Sequence, residues 1–406
     1  MPKSRGRRPR HTHASGARPR ASRGLGPSRF SVEERAWAAR NLQIIQRLDA
    51  TEARGDVAAA LVLLNEDVAR RPASELFWRP DRVRHLMQLA LFEPVLPAWV
   101  YSRWILEQAV RWLDTSRRER ERRAFDRTVR IIGGLEWYGH DDVDASVKLR
   151  DHDWAYRQLM LYEYGALQHF LDKVAASSLI AKSDQVRDWS RASMGGYRLH
   201  GRPARALLWK DLETGQLVEV PDVGSASLVE VGEHVIGRLV PTISGPMFES
   251  APLVVPADVA LDVSHDPYGW MSALEQGCRR AAASLETIST YCTEFPLLCD
   301  VPPTLQHLVA HQVARADGDA RSGAWGDDGI AGCVAVIRAA LGDGFHVEGF
   351  PEPWSIVGAM LLDPSVFEAC ADAPADPAAL HRLAERLVTP AADVCRVLAA
   401  RPDAVA

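Results

Sequence analysis

The stretch Ala206–Pro256, ALLWKDLETGQLVEVPDVGSASLVEVGEHVIGRLVPTISGPMFESAPLVVP, decides how this chain is read. It is the one long segment patterned as β-structure, and the sequence on either side is patterned as helix. Leu207, Leu208, Trp209 and Leu212 form an apolar-rich run that stops at Glu213-Thr214-Gly215-Gln216. Gly215 supplies the positive φ that a tight hairpin turn needs. Leu217-Val218-Glu219-Val220 reads as the return strand, ended by Pro221, which has no N–H to give to a ladder. After a turn at Asp222–Ser225, Ser227–Val231 reads as a third strand. His234–Val240, closed by Pro241, reads as a fourth, and Leu253-Val254-Val255 as a last. Short strands at this spacing predict a four- to five-stranded curled sheet or small barrel over residues 201–262.

Within this module, Asp211-Leu212-x-Thr214-Gly215, then Gly232, then Gly237-Arg238-Leu239-Val240-Pro241 resemble a segment of uncharacterised bacterial proteins of actinobacterial type. Some of those proteins carry a C-terminal zinc-binding SEC-C tail. That tail needs a Cys-x-Cys pair followed by Cys-Cys or Cys-His, and after Cys370 this chain has only Cys395. The resemblance is therefore to the β module alone, and it implies no activity, metal or cofactor.

Length and composition set the frame. A chain of 406 residues, 47% hydrophobic and 25% charged, is long enough for two or three domains and large buried cores. No apolar run approaches the ~18–20 residues of a membrane-spanning helix. No apolar segment follows the basic N-terminus as a secretory signal requires. The expectation is a cytoplasmic protein with no membrane partner. All six cysteines (Cys278, Cys292, Cys299, Cys333, Cys370, Cys395) lie in the last third at spacings that match no zinc pattern. They read as buried free thiols.

Charge is segregated. Residues 1–29 hold nine Lys or Arg and no acid. The whole chain has 48 basic and 53 acidic residues, a formal −5, so residues 30–406 carry 39 against 53, or −14. The arm is rich in Arg, Pro, Gly and Ser and has no apolar periodicity, so disorder is expected. An Arg-rich arm neutralises phosphates and releases counterions, which makes Arg5, Arg7, Arg8, Arg10, Arg18 and Arg20 candidate nucleic-acid contacts. The plainer alternatives are a solubilising tail, or one that folds back on the acidic body.

Residues 30–200 read as a helical domain. Ser31-x-x-Glu34 is a capping box for a helix that stops at Gly55, and Asp56 caps a second helix ended by Pro72. The pair has the size of one tetratricopeptide hairpin, but no repeat follows. Pro80–Phe92 is a third helix. Pro97–Asp114 is apolar around most of its circumference, with Arg103, Glu107 and Arg111 as an i, i+4, i+8 stripe in which Glu107 can pair with both neighbours. Such a helix belongs in the middle of a bundle; the rival reading is an aromatic platform for stacking bases. Arg117–Arg130 carries seven Arg against Glu119, Glu121 and Asp126, adding Arg118 and Arg122 to the candidate contacts. A solvated face with local ion pairs is the alternative. Asp151 is expected to cap a long helix to about Ser177, and a short helix over Gln185–Ala192 ends at Gly195-Gly196.

Residues 263–406 read as a C-terminal helical domain, with helices over Tyr268–Cys292, Pro303–Ala316, Ile330–Leu341, Pro353–Cys370, Pro377–Leu387 and Pro390–Arg401. The whole is therefore mainly α with a small central β module.

Three constellations bear on chemistry. His307-x-x-x-His311 puts two imidazoles on one helix face, with Asp317 and Asp319 as further oxygen donors, but Leu308 stands where a zinc protease has Glu. His140-Asp141-Asp142 and Asp151-His152-Asp153 suggest the His-Asp pairs of metal phosphohydrolases, yet both fall around one loop, and capping explains part of the second. Leu383–Leu398 has the outline of a repressor helix-turn-helix, but Ala391, Ala392, Val394 and Val397 give little to a base edge. The sequence contains no Gly-x-Gly-x-x-Gly, phosphate-binding Gly-Lys-Ser/Thr loop or Gly-x-Ser-x-Gly. The leading expectation is a non-enzymatic binding or scaffold protein that contacts nucleic acid through its arm, with no metal and no cofactor. The competing class is a metal-dependent hydrolase built on a His/Asp cluster.

Overall fold

The quoted segment folds as an open antiparallel sheet set among helices. The computed structural model describes residues 32–72, 78–112, 117–280, 297–316, 328–342, 344–350, 352–372 and 375–401. The chain divides into two units, residues 1–46 and 47–406. In chain order the first helices are α1 Val32–Glu52, α2 Val57–Ala69, α3 Pro80–Leu91, α4 Ala98–Arg111, α5 Arg117–Ile132, α6 Asp142–His152 and α7 Trp154–Gln158. A π-helical turn, Leu159–Glu163, leads to α8 Ala166–Lys173, α9 Ser177–Lys182 and α10 Val186–Trp189. The strands are β1 Gly195–Gly201, β2 Ala206–Asp211, β3 Leu217–Pro221, β4 His234–Gly237, β5 Leu239–Val240, β6 Met247–Phe248 and β7 Leu253–Val255. Helices α11 Ala257–His265, α12 Trp270–Arg280, α13 Pro303–Ala316, α14 Asp328–Ala340, α15 Trp354–Leu361, α16 Pro364–Asp372, α17 Pro377–Arg386 and α18 Ala391–Ala400 follow.

The five-stranded sheet has the order β3-β2-β1-β4-β7, and β5 pairs with β6 separately. The sheet is not closed into a barrel. Its central strand is β1, which pairs with both β2 and β4 and was expected as a Gly-marked stop before the module. The sheet thus begins at Gly195 rather than Gly201. Gly196 lies within the strand for a packing reason: an added Cβ would lie 1.9 Å from the carbonyl oxygen of Ala260. The glycine is there so that α11 can pack on the strand, a close approach that any side chain would block.

The expected third strand, Ser227–Val231, is instead a series of turns closed by Ser227 N–H to Gly224 O and Val229 N–H to Ala226 O. Ala226 and Val229 are buried while Leu228 and Val231 are exposed, a spacing of three rather than two. Arg202 fixes the segment by donating to the carbonyls of Ala226 and Val229. No strand partner is required.

The sheet separates two apolar cores. Tyr197, Leu199, Leu207, Trp209 and Val235 face one that includes α2, α3, α4, α8 and the helices from α13 onward. Ile236, Leu253 and Val255 belong to the other, with α5, α7, α11 and α12. Residues expected in separate N- and C-terminal helical domains therefore share a continuous core. Gln88 donates to Leu362 O at 2.8 Å, and Phe92 packs edge-on against Phe367.

Two predicted helices are broken. The one expected from Asp151 to Ser177 is interrupted by the π turn and by Gly165, whose φ of 71° ends helical geometry. The one expected over Pro353–Cys370 bends by 83° between α15 and α16, where the Asp363 carboxylate caps the N–H groups of Ser365 and Val366. Both halves are buried through Ile356, Val357, Met360, Leu361, Val366 and Phe367. Among the described residues no single helix is long and apolar enough to cross a membrane. The expected disorder of residues 1–29 lies outside the described residues.

Candidate functional site

The cations singled out in the arm, Arg5, Arg7, Arg8, Arg10, Arg18 and Arg20, lie outside the described residues. Arg118 and Arg122 are both exposed on α5. Arg122 sits between Glu119 at 2.7 Å and Asp126 at 3.6 Å, and its bond to Glu119 raises the guanidinium above its ordinary value. Arg117 pairs with Glu121 and Arg127 with Glu275 of α12, both at 2.8 Å, and Arg123 lies over the ring of Tyr164. Arg118 and Arg130 are exposed with no ion-pair partner among the described residues. Much of the α5 charge is thus engaged locally. The pairs of Arg122 are surface pairs, weak in water and screened by salt, so a polyanion competes readily for that side chain.

The polar stripe of α4 does not pair along the helix. Arg103 forms a two-pronged pair with Asp300 at 3.0 Å and donates to Phe248 O, all inside the core. Glu107 meets His85 of α3 at 3.0 Å. Arg111 joins Arg82, Asp49 and Glu52, with Arg82 2.6 Å from both acids. Burial draws the Arg82 and Arg111 guanidiniums below their ordinary value, against the pull of Asp49. Each member of the stripe therefore ties α4 to a different element. Trp99 and Trp104 are buried, so the aromatic-platform reading does not hold.

A second buried cluster surrounds Arg238, in the quoted Gly-Arg-Leu-Val-Pro motif. Its guanidinium donates to Gln158 at 2.9 Å, to Glu163 at 2.8 Å and to Ala192 O, and it lies 4.1 Å from the centre of the Tyr162 ring. The π turn makes this possible. Its Tyr164 N–H to Leu159 O bond widens the helix by one residue, so Gln158, Tyr162 and Glu163 all reach one cation. Burial, with Glu249 nearby, pushes the Tyr162 hydroxyl well up. The other half of the quoted motif makes the β2–β3 turn: the Asp211 carboxylate accepts from the N–H groups of Glu213 and Thr214, and Gly215 has φ 72°. The motif residues thus build a turn and a clamp.

Three aspartates of the His/Asp clusters have structural partners. Asp141 caps α6, and Asp153, not Asp151, caps α7 through Tyr156 N–H. Asp153 also accepts from the Tyr138 hydroxyl, and burial pushes its carboxyl up. Asp151 pairs with Arg79 at 2.8 Å. His311 is exposed on α13, and Asp317 and Asp319 lie outside the described residues. Among the described residues no three His, Cys, Asp or Glu side chains are grouped to hold a metal. In the terminal pair, Ala391, Ala392, Val394 and Cys395 are buried, and the exposed face of α18 presents Arg396, Val397 and Ala400. Cys299, Cys333, Cys370 and Cys395 are free thiols.

Comparisons with protein-family models, with curated proteins and with solved structures return no match for this chain.

Proposed function

We propose that this is a non-enzymatic binding protein that holds nucleic acid through residues 1–29, with the folded body as a rigid acidic scaffold. The observation that carries the reading is charge segregation: nine cations and no acid in the arm, against −14 on the remainder. A polyanion is attracted by the first and repelled by the second, so contact is confined to the arm and to exposed arginines such as Arg118 and Arg122. The buried clamps at Arg103 and Arg238 supply rigidity, and they hold their charges away from solvent. Free thiols accord with a reducing cytoplasm.

The test is fluorescence anisotropy with labelled duplex DNA and single-stranded RNA at low salt, comparing the full chain with a chain lacking residues 1–29. Binding by the full chain that is mostly lost on deletion is expected. Equal binding by both chains, or none by either, overturns the proposal.

A further inference from the structure

A surface cleft lies where the β1–β2 loop meets the starts and ends of two C-terminal helices. It is lined by Arg202 and Arg205 from the loop, Arg386 at the end of α17, and Trp354 and Ser355 at the start of α15, with Asp222 and Glu352 beside them. Two of its cations are oriented before any ligand arrives. Arg202 is held by the carbonyls of Ala226 and Val229, and Arg386 is stacked on Trp354 at 4.7 Å. Arg205 is one of two non-glycine residues with positive φ among the described residues, at 65°. Its carbonyl is tied to the Asp222 N–H at 3.1 Å, so the loop is fixed in that conformation. Left-handed backbone is unfavourable for a residue with a Cβ, and here it delivers an exposed guanidinium to the cleft. Neither Arg205 nor Arg386 has an ion-pair partner among the described residues, although two carboxylates line the same cleft. No side chain caps α15.

We infer that this cleft binds a phosphate group, either free phosphate or the phosphate of a monoester. A carboxylate has two oxygens and fills one guanidinium fork. A tetrahedral dianion presents three terminal oxygens and suits several guanidiniums converging from different elements. The space inside the cleft is small, about 20 Å³, so a phosphate would sit at its mouth against the exposed guanidiniums rather than within it. An ester substituent would therefore stay in solvent, and the cleft would recognise the phosphate and not what it is attached to. The cleft is independent of the arm, so its test and the arm-deletion test fail separately.

The test is calorimetric titration of the full chain at low ionic strength with inorganic phosphate, methyl phosphate and acetate. Saturable 1:1 binding of inorganic phosphate, with acetate not binding, is expected. Methyl phosphate should bind about as well as inorganic phosphate, because the ester substituent stays in solvent; binding of inorganic phosphate alone would restrict the ligand to the free ion. Arg205→Gly removes the guanidinium and suits the left-handed backbone, so the variant should melt at or above the wild-type temperature. Its phosphate affinity should still fall roughly tenfold or more. Arg386→Lys keeps the charge but loses the fork and the stacked plane, and should also bind more weakly. The inference is overturned if phosphate does not bind, if acetate binds equally, or if folded Arg205→Gly binds phosphate as the wild type does.

Discussion

Arg103 on α4 and Asp300, 197 residues further along the chain, form a two-pronged ion pair at 3.0 Å with both side chains buried. The pair threads the segment around Asp300 between α4 and the β module, since the Asp300 N–H also donates to Val223 O at 2.7 Å. Burial raises the Asp300 carboxyl from its ordinary value, and the Arg103 guanidinium opposes that rise.

The pair should be far more costly to halve than to remove. Arg103→Ala leaves a buried carboxylate without its cation and should cost about 3–5 kcal/mol, whereas Arg103→Met with Asp300→Leu should recover most of that loss. Urea unfolding of the single and double variants measures the difference. A double variant no more stable than the single one would show that the pair contributes through its own attraction.

Gly196→Ala tests the helix-on-sheet approach. The new methyl meets backbone at Ala260 rather than a side chain able to turn away. The expected loss is about 3 kcal/mol, at the upper end of overpacking effects. Gly201→Ala, with open space around its Cβ position, is the control and should melt near the wild type. Equal melting temperatures for both variants would show that α11 can slide on the sheet.

The buried thiols predict a loss of stability at alkaline pH. Burial pushes Cys299 up to about 11 and Cys395 up to about 12, from an ordinary value of 9.0. Between those limits the folded chain keeps protons that the unfolded chain has released. The contribution is therefore whole below pH 9 and is lost as pH rises through the folded values. Each fully shifted group adds a slope of up to ~1.4 kcal/mol per pH unit. Denaturant unfolding at pH 8 and pH 10.5 should show the decline, and Cys395→Ala should flatten it by one group's share. An unchanged slope in that variant would mean that Cys395 titrates as it does when unfolded.

Salt dependence tests the arm more finely than its deletion. If about six arm charges meet phosphates, log K should fall against log salt with a slope of roughly −5 on duplex DNA. Arg118→Glu with Arg122→Glu should reduce the magnitude of that slope by one to two while leaving the melting temperature near wild type, because both side chains are exposed. A slope unchanged by these substitutions confines contact to residues 1–29.

The sequence by itself determined the class of this fold and most of its local stops. Apolar periodicity set the helices, Asp56 capped α2, and Gly215 turned β2 into β3, because each of these effects acts within a few residues. It also determined the charge segregation on which the binding proposal rests. What only the tertiary structure decided is where long-range partners meet. Arg103, Glu107 and Arg111 have the spacing of a local ladder, yet their partners come from three other elements, because a helix in a core must neutralise its charges with whatever packs against it. Gly196 looks like a stop and is the centre of the sheet, because its purpose is the backbone of α11, 64 residues away at Ala260. Arg202, Arg205 and Arg386 form no motif along the chain. They line one cleft only because a hairpin loop and a helix end are brought to the same place by the core beneath them.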